Sequence, residues 1–150
     1  MKINKIFTAL AAVAMLFAAS CTKMDVEEKE VCLEVNASNL HGNWELVSIN
    51  GEAAAADFYI NFDRSGNKFA IWETFTSIPS SYNYSEGTFE FYADPELGMK
   101  IRGIDSVKEE WSDMYVIKNL TKTSMTWVGV NDPNFVQTFN RIDKIPYAAN

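Results

Sequence analysis

From Gly42 onward, apolar and polar residues alternate, and turn residues recur about every dozen positions. That period of two is the mark of strands with one buried face. It predicts strands over residues 42–49, 57–63, 68–75, 82–93, 99–104, 111–120, 125–130 and 135–142. Between them lie Asn50-Gly51, a short-hairpin pair, and the turns 64–67, 94–98, 121–124 and 131–134. After Asn36 no long run carries a helical stripe, although residues 52–57 could make one turn. Eight short strands in sequential order predict an all-β, eight-stranded antiparallel up-and-down barrel, since closure removes exposed edges. The inward face expected from the alternation is Trp44, Leu46, Phe58, Ile60, Phe62, Phe69, Ile71, Phe89, Phe91, Ile101, Trp127 and Phe139. Most of these are aromatic, so a narrow barrel fills quickly.

The first twenty residues follow a different pattern. Lys2 and Lys5 precede an apolar run from Ile6 to Ala19, broken only by Thr8. A basic start, a short apolar stretch and small residues before a cut define an export signal. The run is too short to span a bilayer as a helix. Ala18-Ala19-Ser20-Cys21 resembles a bacterial lipobox, with Ala18 where Leu is usual. The resemblance implies that Cys21 is acylated, for example with palmitate, and becomes the first mature residue. Two or more acyl chains would anchor it stably. Residues 22–30 are charged and are expected to form a mobile tether. Lys23 follows the cysteine at the second position, so nothing there resembles an inner-membrane retention signal. The implied location is the outer membrane, lipid-anchored, on the periplasmic face or the cell surface. The acids at 25, 27, 28 and 30 resemble a surface-export signal and serve equally as a solvated spacer. With Cys21 used by lipid, Cys32 is left without an intramolecular disulfide and reads as a small buried apolar residue. The expected organisation is a signal peptide over 1–20, acylated cysteine and tether over 21–39, barrel over 40–145 and tail over 146–150.

Composition narrows the function. The 150-residue chain carries 13 basic and 20 acidic residues, a formal charge of −7. Removing residues 1–20 leaves 11 basic residues against the same acids, or −9. Nucleic acid is therefore excluded as an expected partner. One histidine and two cysteines offer little for metal ligation or acyl transfer. His41 sits at the start of the barrel and reads as structural or exposed. Asp63-x-Ser65-Gly66-Asn67 lacks the later acid of a calcium loop and reads as a turn. Glu86 and Glu90 lie opposite Phe89 and Phe91 and face solvent. No enzyme activity, cofactor or metal is expected. Asp105-Ser106-Val107 resembles a short bacterial O-glycosylation motif on Ser106.

Leu40-His41-Gly42-Asn43-Trp44 and the strand it opens resemble the first strand of lipocalin-like domains in Gram-negative lipoproteins. Gly42-x-Trp44 matches the Gly-x-Trp signature of the wider calycin group. Tyr59-Ile60-Asn61-Phe62-Asp63 with Gly66, and the closing Thr138-Phe139-Asn140-Arg141-Ile142, extend the likeness. It implies that Trp44 blocks one end of the barrel, that Arg141 stacks over it, and that Gly42 belongs to the same closure. It also implies a non-enzymatic envelope lipoprotein that binds a small apolar or amphipathic ligand. The ligand-binding candidates are Glu73, Tyr84, Tyr115 and Phe62. Glu73 falls on the inward face beyond Ile71; a carboxylate is costly to bury unpaired, so it belongs at the mouth. The links 50–57, 76–83 and 105–110 would frame that open end. The alternative is a structural lipoprotein with a filled barrel and no ligand, which contacts an envelope protein through its acidic exterior or its loops.

Overall fold

The computed structural model describes residues 30–74 and 81–148. The expectations for the signal peptide, for Cys21 and for most of the tether lie outside these residues. So does most of the 76–83 link. A short helix α1 (Ala37–Leu40) precedes nine strands: β1 (Gly42–Ile49), β2 (Glu52–Ala53), β3 (Phe58–Asp63), β4 (Lys68–Thr74), β5 (Tyr82–Asp94), β6 (Gly98–Asp105), β7 (Tyr115–Lys118), β8 (Ser124–Gly129) and β9 (Val136–Ile142). Each long strand pairs antiparallel with the next, and β9 returns to β1 from Asn43↔Ile142 to Ile49↔Gln137. The fold is therefore the expected closed, eight-stranded antiparallel up-and-down barrel. The two-residue β2 is an addition to it.

Asn50 and Gly51 both adopt positive φ, 53° and 83°, and fold β2 back on β1 at Ser48↔Ala53. Residues 52–53 thus form a strand where a helical turn was allowed for, because the hairpin supplies a partner at once. β1 then passes its lower half to β3, with Trp44 opposite Ile60. The β5–β6 hairpin is the longest ladder, running from Gly87↔Asp105 to Asp94↔Gly98. The β6–β7 ladder is the shortest, with Lys100↔Val116 and Ile101↔Tyr115 alone.

Nine of the twelve residues expected to face inward belong to the buried interior cluster, and the other three, Phe58, Ile71 and Phe91, are partly buried and pack against it. Trp44, Ile60, Phe62, Ile101 and Phe139 are wholly buried. Leu40, Ile117, Leu120 and Met125 join them. Leu33, Val35 and Ala37 pack against the same cluster, and the Leu33 N–H donates to the Leu120 carbonyl at 2.7 Å. Part of the segment assigned to the tether is therefore a cover for the lower end of the barrel. Asn36 caps α1 by accepting from the Asn39 N–H at 2.9 Å.

Two expectations are corrected. Residues 111–114 are not strand. The Trp111 N–H donates to the Gly103 carbonyl, and its indole turns inward over Gly103. A Cβ on Gly103 would lie 2.1 Å from that ring, so the contact needs glycine. Cys32 is half-buried and disulfide-bonded, not an unpaired apolar residue. The chain's other cysteine, Cys21, lies outside the described residues.

Candidate functional site

The lower end is built around Trp44. Its indole N–H donates to the Leu40 carbonyl at 2.9 Å, and the Arg141 guanidinium lies over its ring, 4.2 Å from the centroid. Arg141 also donates from Nε to the Lys122 carbonyl at 2.8 Å, from Nη2 to the Asn39 carbonyl at 2.8 Å, and from Nη1 to the His41 carbonyl. One side chain thus ties α1, the β7–β8 link and β9 to the floor of the barrel. Gly42 has φ of 128°, and a Cβ there would come within 2.5 Å of Arg141 Nη1. Gly42, Trp44 and Arg141 form one closure. His41, between α1 and β1, ties this closure to the neighbouring β3, with Nδ1 2.9 Å from the Phe62 carbonyl oxygen.

Above this floor the interior is a run of touching rings. Phe62 meets Phe89 at 5.2 Å and Trp127 at 6.0 Å between centroids. Trp127 meets Phe139 at 4.9 Å and stacks on Tyr115 at 5.2 Å. Trp111 fills the gap between Trp127, at 5.6 Å, and Phe69, at 5.0 Å. Its Nε1 is buried without a hydrogen-bond partner.

The four ligand candidates do not come together. Phe62 is wholly buried low in the core. Tyr115 is in the upper interior, where burial raises its phenol pKa. Glu73 is exposed at the upper end of β4, paired with Phe58 and Asn83. Tyr84 pairs with Trp72, one step from the inward Ile71, and so stands on the outside of the barrel. Its hydroxyl donates to Glu86 Oε2 at 2.6 Å, and chiefly this bond pushes its pKa up to about 12. As a candidate for contact with a ligand in the barrel, Tyr84 is corrected by strand parity.

That outer face holds what the alternation did not single out. Tyr59, Trp72 and Tyr84 lie side by side on β3, β4 and β5. The Trp72 and Tyr84 rings are 5.2 Å apart and tilted by 57°. Tyr147, from the tail, contacts Tyr59 at 5.9 Å and Tyr82 at 5.3 Å, and its hydroxyl donates to Asp57 at 3.1 Å. Tyr59 is buried and its pKa is pushed up to about 12, first by desolvation and then by Asp57 and Glu45. Below this aromatic row, on the same three strands, runs a groove of about 560 Å³. Asn61, Lys68, Ala70, Glu86 and Thr88 line its floor, and Asp105, Ser106 and Lys108 form one wall. The wall is docked by Ser106 N–H donating to the Glu86 carbonyl at 2.8 Å. The 105–110 link therefore leans on the outer wall and carries exposed Ser106 there. Compared with protein-family models, curated proteins and solved structures, the chain finds no match.

Proposed function

We propose that this is a lipid-anchored cell-envelope protein whose barrel is a filled scaffold and whose binding surface is its exterior. The observation that carries the reading is the unbroken series of ring contacts from Phe89 through Phe62 and Trp127 to Tyr115, Trp111 and Phe139. Rings at these separations occupy the volume that an interior ligand would need. The lipobox-like Ala18-Ala19-Ser20-Cys21 supports the anchor. The lipocalin-like order of Gly42, Trp44 and Arg141 supports a calycin-type barrel. The expected role is non-enzymatic, with an envelope molecule as partner.

A second reading rests on Trp111. Its buried, unpartnered indole N–H in the upper interior is a donor that an amphipathic ligand could satisfy. In that reading the ligand enters at the upper end, near Tyr115 and Glu73.

Mass spectrometry of the full chain purified from cells tests both halves. Under denaturing conditions the N-terminal peptide should begin at Cys21 and carry acyl chains, and Cys21→Ser should abolish them. The disulfide at Cys32 competes with this anchor, because the chain has two cysteines and a sulfur that holds diacylglycerol cannot also join a disulfide; a Cys21–Cys32 bridge in the same spectrum would overturn the anchor. Under native conditions, with envelope lipid extract, the protein should fly without an added ligand. An adduct that disappears in Trp111→Phe would overturn the filled scaffold in favour of the second reading.

A further inference from the structure

We propose that the outer face of β3, β4 and β5 is a binding site for a neutral oligosaccharide. The inference rests on the scaffold reading and deepens it, by naming where on the exterior a partner sits and what its chemistry is.

The groove has the size of a ligand site, about 560 Å³. Its polar groups are mixed. Lys68 and Lys108 offer donors; Asp63, Glu86 and Asp105 offer acceptors; Asn61 offers its amide oxygen, because its nitrogen is already given to Asn43 Oδ1 at 2.8 Å. A basic peptide would meet the two lysines, and an anion would meet the three carboxylates. A lipid chain would meet charge on both sides. A ligand that carries many hydroxyls, each both donor and acceptor, suits this set without burying a net charge.

The aromatic row supplies the other half of such recognition. A pyranose has apolar C–H faces and a polar rim, so it pairs an aromatic face with hydrogen bonds at the edge. Trp72 and Tyr84 are each two residues along their strands from Ala70 and Glu86 of the groove floor, about 6–7 Å. Tyr84 is half exposed, at 50%. Glu86 joins the two halves: one oxygen accepts from Tyr84, and the other stays available to the groove.

The site is also built in advance. Asp105 Oδ1 accepts from the Val107 and Glu109 N–H groups at 2.9 and 2.8 Å, which folds the wall. A preformed wall lowers the ordering cost of binding.

The test is an array of neutral and charged oligosaccharides probed with the full chain in detergent, followed by calorimetry on the hits. We expect neutral oligosaccharides among the hits. Trp72→Ala and Glu86→Gln should each weaken binding about tenfold, with thermal melts showing both variants folded. Tyr115→Phe, in the interior, should leave binding unchanged. No hit among the neutral glycans, or hits indifferent to both outer-face changes, would overturn the inference and leave the scaffold reading standing. Binding lost in Tyr115→Phe alone would overturn both.

Discussion

Arg141 makes three hydrogen bonds to main-chain carbonyls and covers the Trp44 ring. Replacing it with Met keeps bulk over the indole and leaves those carbonyls without their donor. The expected cost is on the order of 3 kcal/mol, read as a lower urea midpoint with an unchanged slope. Arg141→Lys should recover little of it, because an ammonium cannot reach three carbonyls in fork geometry. The Gly42–Trp44–Arg141 grouping was legible in the sequence because each residue type has few other reasons to hold its place. The Asn39 and His41 carbonyls were not, since nothing in a side-chain pattern says which main-chain oxygens lack a donor. Tyr84 was misplaced for a simpler reason. Counting back by twos from Phe89 reaches Gly87 and Ser85 on the inward face, so parity alone puts Tyr84 outside.

At the scale of elements, the β5–β6 hairpin is the longest ladder and also concentrates charge. Asp94 at its turn accepts from the Leu97 and Glu96 N–H groups, both at 3.0 Å, and pairs with Lys100 at 3.0 Å. The Leu97 N–H first, then Lys100 and the Glu96 N–H, hold its carboxyl pKa down to about 2. A depressed carboxyl stabilises the folded state above its unfolded pKa of about 4 and loses that effect as pH falls towards 2. Asp94→Asn should therefore lower the urea midpoint at pH 5 and 7, and the gap from the parent should close between pH 4 and 2. A gap that stayed constant would mean that the turn does not depend on the charge. The strands themselves were readable because alternation survives wherever one face is buried. The start of β7 was not. Residues 111–115 alternate well enough for a strand, but the space over Gly103 draws Trp111 inward, and that space is invisible to any local window. Helix α1 is a single turn, too short to set up a period, and Asn36 as its cap is the one local signal.

For the molecule as a whole, stability resides in the packed rings. Phe62→Ala opens a hole between Phe89 and Trp127 that neighbours on three strands cannot close. It should cost about 3–5 kcal/mol by chemical denaturation. Because the hole stays open and apolar, the variant should also begin to bind small apolar probes such as benzene, as dry engineered cavities do. The barrel and its inward face were legible from the alternation. The outer face was not, because its rings and carboxylates come from three strands and the tail, and only the register brings them side by side.

The ladder that closes the barrel joins β1 to β9, and Asn43 meets Ile142 across about a hundred residues of chain. Every other ladder links strands close in sequence, so the chain can build seven of the barrel's eight pairings as local hairpins and near-local ladders. The last must draw the two ends of a long loop together before it gains anything, at an entropic cost that grows with the logarithm of loop length. Closure is therefore the slow event, on the milliseconds-to-seconds scale of barrels rich in distant contacts. Until it occurs, β1 and β9 are both open edges. A second chain in the same state offers the matching edges, so at high concentration the competing product is a strand-exchanged dimer that shares two barrels between two chains.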